Sequence, residues 1–277
     1  MHLCPRSRLY ASCILFVFFQ TADFQEKLSR LPKLPEVRLF VRAAVSERDR
    51  IGACLICQQW LMVFRTMVEA NLIKLEVVPI SYDYEPDDYK CLHASKRLPA
   101  AFLPDFQLAA STTDELETLL SKFQYDRMKL PFEEEAVGAA LRSFIDVYLT
   151  MVGFVRNNAE RPLLTALQQL EDYLQSHGTR YLLGDEPTFA DCMLMPKLQH
   201  LRVILRACKQ WDIPLEFVNV WKYVKSMYET PVFTVCCPCD RDILMHYKDK
   251  KALNIPEHLL KQAADTYLHA CPTQLPA

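Results

Sequence analysis

A short β-branched and aromatic run at residues 37–42 reads as a strand. The spacing then changes: Ile56, Trp60, Val63, Phe64 and Met67 recur at helical intervals. Residues 75–80 form a second apolar run, closed off by the acidic, polar stretch 82–96, which reads as a loop with a short helix. Another short strand follows Pro99, and residues 106–108 suggest a last one. Ser111-Thr112-Thr113-Asp114 opens a helix through Leu116, Leu119, Leu120 and Phe123, with Asp114 and Glu115 in the first turn, where the helix dipole favours acids. The predicted order is β-α-β-α-β-β-α.

The pattern breaks over residues 124–132, and beyond it almost nothing reads as strand. Residues 133–157 predict one long amphipathic helix. Residues 161–177 predict another, with Leu163, Leu164, Leu167, Leu170 and Leu174 on one face and Gly178 as its stop. Thr188-Phe189-Ala190-Asp191 is a capping box with Asp in place of Glu; it orders a buried helix over 192–208, interrupted by Pro196, and carries no chemistry. Further helices are predicted over 215–228 and 240–250, and a last one over 257–269 with Pro256 at its first position.

Hydrophobic residues make up 51% and charged residues 24% of 277, a globular balance. The net charge of -2 and the absence of a basic stripe argue against nucleic acid as a partner. Only five glycines occur, and no phosphate-cradling GxGxxG or P-loop can be assembled from them. Eleven scattered cysteines, an odd number in a long chain without a glycosylation sequon, favour the cytosol over a secreted disulfide scaffold. Arg6 and Arg8 precede an apolar run over 9–19 that has the outline of a signal peptide, but a cut after Ala22 leaves Gln20 where a small residue is wanted. The run is too short to span a bilayer. It reads as an extension or a weak membrane-contacting segment, with secretion as the alternative.

The chemistry centres on Cys54-Leu55-Ile56-Cys57, placed where a strand hands over to a helix. A helix N-terminus stabilises a thiolate on its first turn, so Cys54 is the candidate nucleophile and Cys57, one turn on, its resolving partner. The alternatives are inert packing, since free cysteines behave as small hydrophobes, and half of a zinc site. Zinc needs two further ligands, which Cys236, Cys237 and Cys239 supply only if the fold brings distant segments together. CxxC at a strand-to-helix junction is the thioredoxin-like placement. In that fold an apolar residue and a cis-proline precede the third strand, and Leu98-Pro99 stands at that position. A cis X-Pro bond turns the preceding backbone N–H and C=O towards a ligand; a plain turn proline is the alternative. The expected architecture is an α/β thioredoxin-like N-terminal domain over residues 37–127 and an all-α C-terminal domain over 132–270, with residues 1–36 as an extension.

This is the glutathione transferase plan, and several stretches resemble one branch of it, the chloride intracellular channel family. They are Val37-Arg38-Leu39-Phe40-Val41-Arg42-Ala43, Ile51-Gly52-Ala53-Cys54, and Leu183-Gly184-Asp185-Glu186-x-Thr188-x-Ala190-Asp191-Cys192-x-Leu194-x-Pro196-Lys197-Leu198, followed by Ile213-Pro214 and Trp221-x-Tyr223. The resemblance implies a soluble, cytoplasmic protein with reversible association with membrane lipid, chloride-conducting when inserted, with oligomers allowed in the membrane, and a glutaredoxin-like oxidoreductase with glutathione as co-substrate when soluble. On that pattern Cys54 is the reactive cysteine, Leu98 and Pro99 pair with glutathione backbone, and Thr112 and Thr113 fall where the γ-glutamyl carboxylate is held. Cys57 departs from the serine of vertebrate members, and the short 178–187 connection and extra C-terminal helix suggest an invertebrate-type member.

In this family the membrane segment starts at the reactive cysteine. The window 55–73 has 13 apolar residues of 19, but it carries Arg65 and Glu69. A mid-bilayer Arg costs about 2.5–3.5 kcal/mol against about 0.3–0.6 gained per large aliphatic residue. In a soluble fold the same stripe is the core face of a helix. Three functions therefore stand side by side: a channel-family protein with a redox site and regulated membrane association, a plain glutathione-dependent thiol oxidoreductase, and a non-catalytic interaction module with inert cysteines.

Overall fold

The structure is a computed structural model and describes residues 15–16, 20–81, 83–92, 97–250, 252–263 and 265–273. Five strands form one mixed sheet: β1 (Leu15–Phe16), β2 (Glu36–Arg42), β3 (Lys74–Ile80), β4 (Ala100–Leu103) and β5 (Leu108–Ala110), in the order β1-β5-β4-β2-β3. β2 runs parallel to β3 and antiparallel to β4, and β5 runs antiparallel to β4 and parallel to β1. Side chains alternate across the sheet as strand geometry requires. Val37, Leu39, Val41, Ala101, Leu103, Leu108 and Ala110 face the main core. Phe40, Ala100, Phe102 and Ala109 face a smaller cluster with Ile80, Tyr89 and Leu92, closed by the short α3 (Asp87–Cys91).

Helix α1 (Thr21–Ser29) lies within the stretch read from sequence as an extension. It packs through buried Phe24, which stacks on Phe106 at 4.5 Å and meets the edge of Phe123 at 5.0 Å. One aromatic anchor in a polar segment gives no periodic signal, which is why the helix escaped the pattern. Most of the apolar run 9–19 lies outside the described residues. Phe106 belongs to a 3₁₀ turn (Pro104–Phe106) and not to the last strand, because Pro104 has no N–H to give a ladder and Gln107 takes a left-handed φ of 52°.

Helix α2 (Leu55–Glu69) is buried between the sheet and the helical half; Trp60 packs against Phe64 within it and against Phe189 across the boundary, both at 6.0 Å. Asn71, with φ 55°, ends the helix in a left-handed cap: its N–H reaches Val68 O and that of Leu72 reaches Met67 O. Gln58, Gln59 and Thr66 enter the core with α2. Among the described residues, the Gln58 side-chain amide and the Trp60 indole N–H find no protein partner.

α4 (Thr113–Phe123) leads into the all-helical half, made of α5 (Glu135–Ser143), α6 (Val147–Asn157), α7 (Glu160–His177), α8 (Phe189–Lys209), α9 (Val218–Tyr228), α10 (Pro231–Thr234), α11 (Asp240–Asp249) and α12 (Glu257–Gln262). The single helix expected over 133–157 is two. A turn at Phe144 buries that ring and leaves Ile145 outside, while the apolar periodicity runs on through the break and conceals it. α8 continues through Pro196 without interruption, held by buried Cys192, Leu194 and Leu198 on its flanks. Its cap works through Asp191, which accepts from the Thr188 N–H and hydroxyl, both at 2.7 Å, and from the Leu182 N–H at 3.1 Å. The last helix is only six residues, with Pro256 as its N-cap instead of its first residue. The described residues beyond it, 265–273, are not helical, and α11 pairs with their backbone: Asp240 N–H donates to Thr266 O at 2.8 Å and Leu268 N–H to Asp240 Oδ1 at 3.0 Å.

The loop from β2 to α2 is tied at both ends. Arg50 pairs with Glu47 at 2.9 Å, Asp265 at 3.3 Å and Asp242 at 3.5 Å, joining it to α11 and the C-terminal segment. Gly52 N–H donates to Arg42 O at 2.7 Å, and a Cβ at Gly52 would stand 2.3 Å from Ala43 O and 2.9 Å from Arg42 O. Both obstacles are backbone, so they cannot swing aside. Gly52→Ala is therefore expected to destabilise the fold by about 1–3 kcal/mol and to slow alkylation of Cys54. A denaturant midpoint and a labelling rate measured together check this, and wild-type values for both would contradict it.

Candidate functional site

Cys54 is the N-cap of α2, with extended backbone angles, and Cys57 lies one turn along. Both are free thiols, Cys54 at 8% exposure and Cys57 fully buried. Two residues of one helix turn thus have opposite tendencies. The Cys57 thiol, as hydrogen-bond donor, lowers the Cys54 pKa to about 5; burial opposes this, and the Cys57 backbone N–H with the charges of Lys250 and Arg42 reinforces it. Burial, and then the Cys54 sulfur itself, pushes Cys57 well above the ordinary thiol range. Arg42 N–H donates to Cys57 Sγ at 3.4 Å, fixing that sulfur against the end of β2.

A cavity of about 380 Å³ opens beside Cys54. Leu55, Ile56 and Gln59 of α2 form one wall; the opposite wall is Tyr148 of α6, Met193 and Lys197 of α8, and His246, Tyr247 and Lys250 at the end of α11. His246 is held at about 3 by burial and by the neighbouring positive charges of Lys250 and Arg42, so its imidazole is neutral. None of these helical-half residues was singled out as functional from the sequence. They come from three helices far apart along the chain, and the only local sign was Lys197, inside the motif block that carries the family resemblance.

The other expected site residues lie elsewhere. The Leu98–Pro99 bond is cis, and Pro99 is buried. Continuing the β2–β4 register, in which Phe40 faces Ala100, sets Pro99 level with Val41 and Leu98 level with Arg42, at the end of the sheet that holds Cys57. Neither lines the cavity. Thr112 is the N-cap of α4: its hydroxyl accepts from Glu115 N–H at 3.2 Å, while Glu115 Oε2 accepts from the N–H groups of Ser111 at 2.6 Å and Thr112 at 3.1 Å. The Ser111 and Thr112 N–H donors at this turn are therefore already engaged by Glu115. Thr113, the first helical residue, is exposed. Among the described residues no group of three or more His, Cys, Asp or Glu is arranged to hold a metal ion.

Residues 153–226 match the family described as glutathione S-transferase, C-terminal domain. The chloride intracellular channel Clic of Drosophila melanogaster is 31% identical over 228 residues, covering 81% of this chain and 86% of that protein. The chain belongs to the chloride intracellular channel family. Within that family, the Caenorhabditis elegans protein exc-4 is 28% identical over 239 residues, 79% of this chain and 82% of its own. The crystal structure of the homologue EXC-4 superposes with a TM-score of 0.71 at 27% identity, over 87% of this chain and 95% of that one. Dehydroascorbate reductase of Chlamydomonas reinhardtii shares the fold alone, with a TM-score of 0.61 at 18% identity over 77% of this chain and 97% of its own. The chain thus has the thioredoxin-like sheet and all-helical half of glutathione transferases.

The lowered pKa of Cys54 has a sign that can be followed. A thiol depressed in the folded state contributes stability that is present above its ordinary value of 9.0 and is lost as the pH falls through about 5. Iodoacetamide labelling of Cys54 should rise through an apparent midpoint near pH 5 and level off well before neutral pH, while Cys57 stays unlabelled. The stability gap between wild type and Cys54→Ser should widen from pH 5 to pH 9. Labelling that still climbs at pH 8, as for an ordinary thiol, would show that Cys54 is not activated.

Proposed function

We propose that this protein is a glutathione-dependent thiol–disulfide oxidoreductase of the chloride intracellular channel family, cytoplasmic when soluble. The observation that carries this reading is the unequal pair: a Cys54 held as thiolate at the wall of an open cavity, backed by a buried, protonated Cys57. A thiolate is the attacking species in disulfide exchange, and the low pKa of Cys54 also makes it a good leaving group when the Cys54–Cys57 disulfide is finally reduced by attack on the Cys57 sulfur. The Cys54 thiolate attacks the disulfide of a glutathione-capped substrate; the S–S bond breaks, and the departing thiolate takes a proton from water. The resulting Cys54–glutathione disulfide is resolved by Cys57, which gives up its proton as it attacks the Cys54 sulfur and releases glutathione. Two further glutathione molecules reduce the Cys54–Cys57 disulfide and leave as glutathione disulfide. In this reading Leu98 and Pro99 offer backbone to glutathione, and Thr112 and Thr113 lie at its γ-glutamyl end.

Cys54→Ser is expected to abolish thiol transfer with glutathione. Cys57→Ser should keep turnover, since free glutathione can resolve the mixed disulfide, but should accumulate a Cys54–glutathione adduct visible by mass spectrometry. Full activity in Cys54→Ser would end the oxidoreductase reading and leave the interaction-module one.

A membrane-associated form is the second reading, suggested by the names of the relatives and by one feature of this chain. By length and composition alone the stretch Glu135–Asn157, α5 with α6 across the turn at Phe144, is long and apolar enough to cross a bilayer: an 18-residue window within it has a mean hydropathy of 1.3, and a third of that window is buried. Leu149 on it is 68% exposed and Ile145 61%. By contrast α2, the segment implied by family resemblance, has 15 residues, about 22 Å of helix against a hydrocarbon core of about 30 Å, and is buried over most of its length. We infer that lipid is first met through α5 and α6, with chloride conduction belonging to whatever inserted state follows. Leu149→Asp should then weaken binding to anionic vesicles about tenfold or more while leaving thiol transfer intact. Unchanged flotation of the variant with vesicles, together with a Trp60 emission that becomes shielded from aqueous quenchers, would assign the contact to α2 instead.

A further inference from the structure

The two walls of the Cys54 cavity differ in charge as well as in origin. Apart from the Cys54 thiolate, the α2 side is neutral. The helical-half side carries the ammonium groups of Lys197 and Lys250, and among the described residues no carboxylate lines the cavity. Neither lysine has an ion-pair partner among the described residues. Lys197 is half-buried with its Nζ 4.9 Å from the centre of the Phe144 ring, and burial lowers its pKa. A half-buried ammonium without a carboxylate is uncommon, because desolvation is costly unless a counter-charge or aromatic face offsets it. By comparison, half-buried Arg38 is paired with Glu76 and Asp88, and fully buried Arg202 with Asp212. Apolar and aromatic surface from Ile56, Tyr148 and Met193 completes the cavity.

We propose that this cavity selects the non-glutathione half of the disulfide substrate, taking an apolar or aromatic body that bears an anionic group, with Lys197 and Lys250 as its anion anchors. This rests on the oxidoreductase reading above and names its substrate class. The two lysines have different duties. Lys250 lies close enough to Cys54 to stabilise the thiolate, so near and below the Cys54 midpoint it affects reaction with every substrate. Lys197 is not among the groups that shift Cys54, so it discriminates between substrates without altering the nucleophile. The exchange itself is unchanged: the Cys54 thiolate attacks one sulfur of the substrate disulfide, the S–S bond breaks, and the released thiolate carries the anionic body out of the cavity.

The test uses two aromatic disulfides that differ in charge, dithiobis(nitrobenzoate), which is anionic, and dithiodipyridine, which is neutral at the working pH. Both release a coloured thiol, and both are run on the full chain at pH 7, above the Cys54 midpoint, with the Cys54→Ser rate subtracted to remove other thiols. Lys197→Met should slow the anionic probe about five- to tenfold and leave the neutral probe within error. Lys197→Arg should restore it. Lys250→Met should slow both probes at low pH, by moving the Cys54 midpoint upwards, and only the anionic one once the thiolate is fully formed. Equal effects of Lys197→Met on the two probes, or none on either, would overturn the anion assignment while leaving the oxidoreductase reading standing. A wild-type Cys54 that reacts with neither probe would overturn both. The neutral probe also serves as the folding control, since a misfolded variant changes both rates together.

Discussion

The burial of α2 is the constraint on which the rest of the molecule depends. A helix on one face of a sheet ordinarily keeps its outer side in water, and its sequence alternates accordingly. Here Trp60, Leu61, Met62, Val63 and Phe64 follow one another without a polar break, and all are buried, because the outer side of the helix is covered by α8 and the residues around Phe189. The main core is consequently continuous from Leu39 in the sheet through Trp60 to Leu198 in the helical half. The helix that starts with the reactive cysteine is therefore also the member that joins the two halves, and its position cannot change without disturbing both.

Much of this was legible in the sequence, and the reasons are specific. The change of spacing between residues 37–42 and 56–67 located the strand, the helix and the junction cysteine, and an apolar residue before a proline located the cis bond at Leu98–Pro99. What escaped has a common physical cause: it depends on single contacts or on partners far apart in the chain. Helix α1 is anchored by one ring, Phe24, and the break at Phe144 keeps the helical period on both sides. The non-helical C-terminal segment is held by hydrogen bonds to Asp240, which local periodicity cannot anticipate. The sequence supplied half of the candidate site. Cys54 and Cys57 announce themselves by spacing, whereas Lys197, His246 and Lys250 become neighbours only when α8 and α11 fold over the start of α2.

The same folding-over explains how one turn of helix holds two thiols in opposite states. The positive ends of Lys250 and Arg42 come from α11 and from β2, so each half of the molecule contributes a charge to the sulfur between them. Cys57 faces inward, against the end of β2, where its proton is difficult to remove but well placed to be shared. The chemistry of the pair is thus a property of the assembled halves more than of the CxxC spacing.

Gln58 gives this arrangement a further consequence. Its amide is fully buried beside Cys57 in the chain, and among the described residues neither its donor nor its acceptor meets a protein partner; the same holds for the Trp60 indole N–H. A buried polar group left unmatched costs about 1–3 kcal/mol, so α2 occupies its slot with less margin than its apolar area alone would give it. Any excursion that lets water reach Gln58 and Trp60 recovers part of that cost. In the language of native-state hydrogen exchange, the first turns of α2 should belong to a lower-lying opening than the helices around them, and the residues that hold the molecule together are also among those it is readiest to release.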